Sequence, residues 1–255
     1  APQAARTAAL AGGRAGRGLY PPPHSRKGLI EAGKGERAVI RRFQGVRGRY
    51  VEKIPGQDRF GFANTGDFEF YEAEEQIQNG IHPKSALLFF DFETARIEQP
   101  FEEKRDVLYG SPIYEGGAFW FLRCDFEKRS VVLIRYLPGE EPETATELRM
   151  DEVHLYNLGL IGSPVHIISQ DETFCSYYPR AFAFPLGEQE SVILVENGKV
   201  YSERWVEEGW DAEKNCAGAA YAYYDCVLTR DEEGNLLAEE IGNLFQTADG
   251  TWWIT

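Results

Sequence analysis

The sequence predicts an all-β protein built from antiparallel repeats of about 51 residues, arranged as in a β-propeller. Three observations carry this expectation: runs of strand length with alternating or continuous apolar character, regularly placed turn residues, and landmarks that recur at a nearly fixed interval. A pair of β-sandwiches or one long meander is the alternative architecture.

The landmarks come first, because a missed repeat misassigns a whole fold. Gly110-Ser111-Pro112-Ile113 recurs as Gly162-Ser163-Pro164-Val165. Each is followed by a cysteine, Cys124 or Cys175, and then by an apolar run, Arg129–Ile134 or Glu190–Val195. Cys226 extends the spacing of 51 to a third position, and Gly66–Glu72 is a candidate start for an earlier unit. The second copy is about nine residues longer, which the aromatic segment Tyr177–Leu186 can supply.

Within a unit, Ala118–Phe126 and Val131–Leu137 read as strands joined by the polar turn Glu127-Lys128-Arg129. Thr144–Met150 and Val153–Leu160 read as two more. Asn197-Gly198 between apolar runs is the strongest hairpin signal in the chain. Asp231–Asn235 and Asp249-Gly250 mark further turns, and Phe70–Gln78 is the best helix candidate. The end, Gly250–Thr255, resembles the opening of the strand at Gly117. Two readings of it stand side by side: a strand that closes another blade, or a β domain left incomplete at the C-terminus.

Two segments follow from charge: a basic leader rich in Gly, Ala and Pro over residues 1–37, and a repeat-built β domain over 38–255. The formal charge of -14 hides this division. Residues 1–50 carry a net +9, and residues 51–255 a net -23. Residues 38–54 also read as a hairpin, Ala38–Phe43 against Arg49–Ile54, so the fold is expected to begin near Ala38. With 43% hydrophobic and 13% aromatic residues, the bulk of the chain has enough to bury and is not expected to be disordered.

The same arithmetic bears on partners. Arg41, Arg42, Arg47 and Arg49, with Phe43 and Tyr50 between them, resemble a phosphate-binding stretch, but the acidic body would repel a polyanion. Nucleic acid is therefore disfavoured, and a protein or a carbohydrate is the expected partner. No run approaches the roughly 18 apolar residues of a membrane span, and the N-terminal apolar patch is too short for a signal-peptide core. A soluble protein is expected, with the cytoplasm favoured over export.

Motifs for chemistry are sparse. Gly33-Lys34-Gly35 belongs to no phosphate-binding loop, and no C-x-x-C or H-x-x-x-H pattern is present, so neither a cofactor nor a metal is expected. Cys216 and Cys226 could pair only in an exported protein. His154 and His166 would converge only if the segment between them turned back. Asp125, Glu127, Asp171 and Glu172 adjoin aromatic strands, as paired acids do in propeller glycosidases. Trp120 is expected in the core, whereas Trp205 and Trp210 flank an apparent polar turn, Val206-Glu207-Glu208-Gly209. No catalytic or binding residue is assigned. The expected function is a non-catalytic binding or scaffold module, and the alternative is a carbohydrate-active hydrolase using paired carboxylates.

Overall fold

Strands in this chain pair with their sequence neighbours, so local hairpins generate nearly every sheet. The computed structural model describes residues 40–46, 49–66, 68–211 and 213–255; the proposed leader over 1–37 lies outside them. The first sheet contains β1 (Glu52–Lys53), β2 (Phe60–Asn64), β3 (Leu87–Asp91) and β4 (Ile97–Glu98), with helix α1 (Phe70–Gln78) between β2 and β3. The second contains β5 (Val107–Tyr109), β6 (Ile113–Glu115), β7 (Ala118–Asp125), β8 (Ser130–Tyr136) and β9 (Glu143–Arg149). The third contains β10 (Gly159–Ile161), β11 (His166–Gln170), β12 (Thr173–Tyr178) and β13 (Phe182–Pro185). The fourth contains β14 (Glu190–Glu196), β15 (Lys199–Asp211), β16 (Cys216–Asp231) and β17 (Leu236–Ile241), and a hairpin of β18 (Leu244–Gln246) and β19 (Trp252–Ile254) follows. The protein is all-β, with several antiparallel sheets, none of them closed.

Packing between sheets explains why some strands alternate and others do not. The first and second sheets share a core containing Phe62, Phe89, Phe119, Phe121 and Ile134. The second and third share another, with Leu122, Leu133, Val165 and Ile167, onto which Phe70 and Ala73 of α1 pack. A third joins Ile168, Phe174 and Phe184 to Val192, Val195 and Val200 of the fourth sheet. The second sheet is thus covered on both faces, and β8 is buried along its length except at Arg135. A doubly covered strand has no polar side to show, which accounts for the continuous run Val131-Val132-Leu133-Ile134.

α1 occupies the span the sequence predicts. Phe70, Ala73 and Ile77 form one stripe against the core, and the Glu72 carboxylate accepts the Glu69 N–H (3.0 Å) to close a capping box. The Asn197-Gly198 turn also forms as expected. Both residues have positive φ, 52° and 74°, the requirement of a two-residue turn whose twist matches its strands. Gly198→Ala is expected to lower stability by about 1 kcal/mol, because a Cβ disfavours that conformation. Urea denaturation should show the midpoint falling at an unchanged slope.

Several expectations are corrected. The repeat landmarks correspond only in part: Cys175 and Cys226 lie on the third strands of their sheets, but Cys124 lies on the second main strand of its own. Likewise Ser130–Ile134 lies in β8, in the same sheet as Cys124, with Arg129 in the turn before it, whereas Glu190–Val195 opens the following sheet as β14. Tyr177–Leu186 accounts for the extra length of the second copy, ending β12 and supplying β13, and Gly66–Glu72 leads into α1. Val153–Leu160 is mostly turn, with a 3-10 turn at Met150–Glu152 before it. The hairpin expected over 38–54 lies partly outside the described residues; within them, Ile40–Phe43 is not a strand, and Glu52–Lys53 pairs with β2. Phe43 instead packs on Phe90 at 5.1 Å between ring centroids, so it is unavailable to stack on a base. Trp252–Ile254 pairs with β18 and not with an earlier sheet. Among the described residues no helix is long and apolar enough to cross a membrane.

Candidate functional site

Turns from three consecutive sheets meet around a cavity of about 490 Å³. The second sheet contributes Glu115 at the end of β6, Gly116 in the next turn and Trp120 on β7. The third contributes Ser163, Pro164 and Val165 between β10 and β11, and Tyr178 and Pro179 after β12. The fourth contributes Glu196 and Asn197 from the β14–β15 turn. Two carboxylates, two aromatic rings and two uncharged polar side chains line the cavity, and among the described residues no Lys, Arg or His does.

The second Gly-Ser-Pro landmark ties these turns together. Ser163 Oγ donates to Glu115 Oε1 at 2.7 Å. The Ser163 N–H donates to the Val195 carbonyl at 2.9 Å, and the Val195 N–H donates to the Gly162 carbonyl at 3.1 Å. One short segment therefore fastens the second sheet to the fourth. A Cβ on residue 162 would stand 2.7 Å from Glu115 Oε2 and push the end of that side chain aside. The Trp120 ring is held in turn, with Nε1–H donating to the Glu115 carbonyl at 3.0 Å.

His166 lies just behind this segment. It is buried, and one ring nitrogen lies 2.7 Å from the Pro164 carbonyl. Burial, reinforced by the positive charge of Arg180 and opposed by the Pro164 carbonyl, lowers its pKa below the usual histidine value. The unfolded chain therefore binds a proton that the folded one resists. The neutral ring's contribution to stability is complete above a pH of about 6.5 and is lost as pH falls toward the lowered folded value. His166→Gln should flatten the decline in thermal midpoint between pH 7 and pH 5, measured by calorimetry.

The residues singled out from sequence are scattered. His154 is exposed, and no hydrogen bond joins it to His166; its backbone N–H donates to the Tyr177 hydroxyl at 3.0 Å. Asp125 is buried, accepting the Lys128 N–H at 3.1 Å with Lys104 Nζ at 3.5 Å. Glu127, Asp171 and Glu172 are exposed in turns, and none of these four acids lines the cavity. Trp120 is half-buried, sharing itself between core and cavity. Trp205 and Trp210 flank no turn, because both lie on β15. Cys216 and Cys226 lie ten residues apart on β16, roughly 33 Å at strand rise, beyond the reach of a disulfide. Among the described residues no group of three His, Cys, Asp or Glu is placed to hold a metal ion.

Comparison with protein families, curated proteins and solved structures finds no match to this chain.

Proposed function

We propose that the chain is a non-catalytic binding module of propeller-like design, and that the three-sheet cavity recognises a hydroxylated ligand of the carbohydrate class. Support for the ring-like design comes from the order of packing, in which each of the first four sheets lies against the next. The terminal hairpin returns toward the start: a Cβ on Gly56, between β1 and β2, would touch the Gln246 side chain at 3.4 Å. In such an order, turns from neighbouring sheets gather at one end, where propellers place their recognition surface.

The observation that carries the ligand class is the pairing of Trp120 and Tyr178 with Glu115, Glu196, Ser163 and Asn197 in one cavity. A sugar ring has an apolar C–H face that packs on an aromatic ring and hydroxyls that hydrogen-bond to carboxylates and amides. Binding to a glycan array should identify ligands. Trp120→Ala should weaken binding of any hit at least about tenfold, as expected for an aromatic anchor. Ser163→Ala should weaken it less, by freeing the Glu115 carboxylate. Absence of any saturable ligand would overturn this reading.

A second reading, hydrolysis, rests on the two carboxylates that line the same cavity. Glycosidases need such a pair about 5–9.5 Å apart across the scissile bond. Release of reducing sugar from a bound oligosaccharide, abolished by Glu115→Gln or Glu196→Gln, would favour it over plain binding.

A further inference from the structure

The long hairpin of the fourth sheet outgrows its neighbours. β15 and β16 have 13 and 16 residues, against 7 in β14 and 6 in β17. β14 pairs with β15 only up to Arg204, and β17 pairs with β16 only from Cys226 onward. From Val206 to Tyr224 the two strands run on together as a two-stranded arm whose outer edges pair with no further strand among the described residues.

The arm carries aromatic side chains that no core uses. Trp205, Tyr223, Tyr221 and Trp210 form a continuous ladder, with successive ring centroids 6.5, 6.2 and 6.0 Å apart. Trp205, Trp210 and Tyr223 are 42%, 46% and 68% exposed. Contiguous apolar surface of this kind marks an interaction site more often than it serves stability. On the face of the ladder, Asp225 stands opposite Trp205 and Glu207 opposite Tyr223; the cations described nearby are already paired, Arg204 with Glu239 and Lys214 with Asp211 at 2.8 Å. Tyr221 of the ladder fixes the Glu207 carboxylate, donating to Oε1 at 2.5 Å, and on the opposite face of the arm Tyr224 donates to Glu208 Oε1 at 2.8 Å.

We propose that this arm is a docking surface for an arginine-rich segment of a partner polypeptide. A guanidinium group stacks on aromatic faces and pairs with a carboxylate through a planar fork, and the arm offers both within one ladder. A purely apolar partner would strip water from unpaired carboxylates, and a polyanion would be repelled by them. The unpaired strand edges add backbone donors and acceptors for an extended segment. The proposal does not depend on the cavity described above.

Fluorescence anisotropy with labelled nona-arginine and nona-lysine, added to the full chain at physiological ionic strength, tests it. Saturable binding is expected, with nona-arginine at least about tenfold tighter than nona-lysine, because lysine lacks the planar stacking group. Trp205→Ala combined with Tyr223→Ala should weaken nona-arginine binding at least about tenfold while the chain stays folded with a cooperative thermal transition, since neither side chain belongs to a core. Glu207→Gln combined with Asp225→Asn, the carboxylates on the face of the ladder, should weaken it as well. Equal affinity for the two peptides, no saturable binding, or binding that survives the aromatic double variant would overturn the proposal. So would saturable binding of a neutral oligosaccharide that the aromatic double variant abolishes.

Discussion

Glu190→Ala is expected to destabilise the protein by about 3–5 kcal/mol, the cost of breaking a buried ion pair from one side. The Glu190 side chain is fully enclosed at the start of β14, and its partner Arg230 on β16 is only 16% exposed. Glu190 Oε1 accepts from Arg230 Nε at 2.8 Å and from the Ser202 hydroxyl at 2.5 Å. Oε2 accepts from Arg230 Nη2 at 2.9 Å and from the Gly187 N–H at 2.8 Å. Truncation would leave the guanidinium facing the Gly234 carbonyl (3.0 Å) without a counter-charge.

Acid titration gives an independent check on this group. Burial pushes the Glu190 carboxyl up, but the hydrogen bonds from Arg230, Ser202 and Gly187 outweigh it and leave the pKa below the ordinary value. Its stabilising contribution is complete above the unfolded value of about 4.3 and is lost as pH falls through the lower folded one. Glu190→Gln keeps the shape but removes the charge, so its deficit relative to the unsubstituted chain should shrink below pH 4. Urea midpoints measured at pH 7 and pH 3.5 would show it.

Phe89→Ala is the second large effect, about 3–5 kcal/mol for an aromatic side chain deleted from a packed core. Phe89 is fully buried, with its ring centroid 5.0 Å from that of Phe119, 5.2 Å from that of Tyr136 and 6.1 Å from that of Phe121. All three neighbours belong to the second sheet, so the cavity opens where that sheet meets the first. Phe89→Leu should recover more than half of the loss, since it fills most of the same volume. Chemical denaturation at constant slope would separate this packing effect from partial unfolding of the first sheet.

Much of the architecture was legible in the sequence, and the part that was not has physical causes. β7, β8 and the Asn197-Gly198 turn were readable because long apolar strands and a turn requiring two positive φ angles leave few alternatives. β10 and β13, of 3 and 4 residues, are too short to show a period. The arm was misread because Glu207-Glu208-Gly209 has the composition of a turn. Gly209, with φ of 72°, instead sits at an irregularity in the β15–β16 pairing, and the strand continues to Asp211. Equal spacing is a weak guide to equivalent positions: Cys175 and Cys226 share third-strand positions, but Cys124 does not, and a cysteine in an apolar strand is simply a small hydrophobe.

The cavity was illegible for another reason. Glu115 and Ser163, which hydrogen-bond there, lie 48 residues apart, and no local pattern links them. The one signal available was Gly162-Ser163-Pro164-Val165, whose likeness to Gly110-Ser111-Pro112-Ile113 marks out a segment that in the fold fastens three sheets around the cavity. Its counterpart, Gly110-Ser111-Pro112-Ile113, lines no part of it.

The central proposal is a cavity, shared by three sheets, that holds a hydroxylated ligand without transforming it. Two-dimensional NMR during titration with a glycan hit tests this most directly, with the ligand recovered afterwards and weighed by mass spectrometry. Saturable shifts clustered at Trp120, Ser163, Tyr178 and Asn197, with the ligand recovered intact, are the predicted result. Shifts confined to other surfaces, or a ligand recovered in cleaved form, would contradict it.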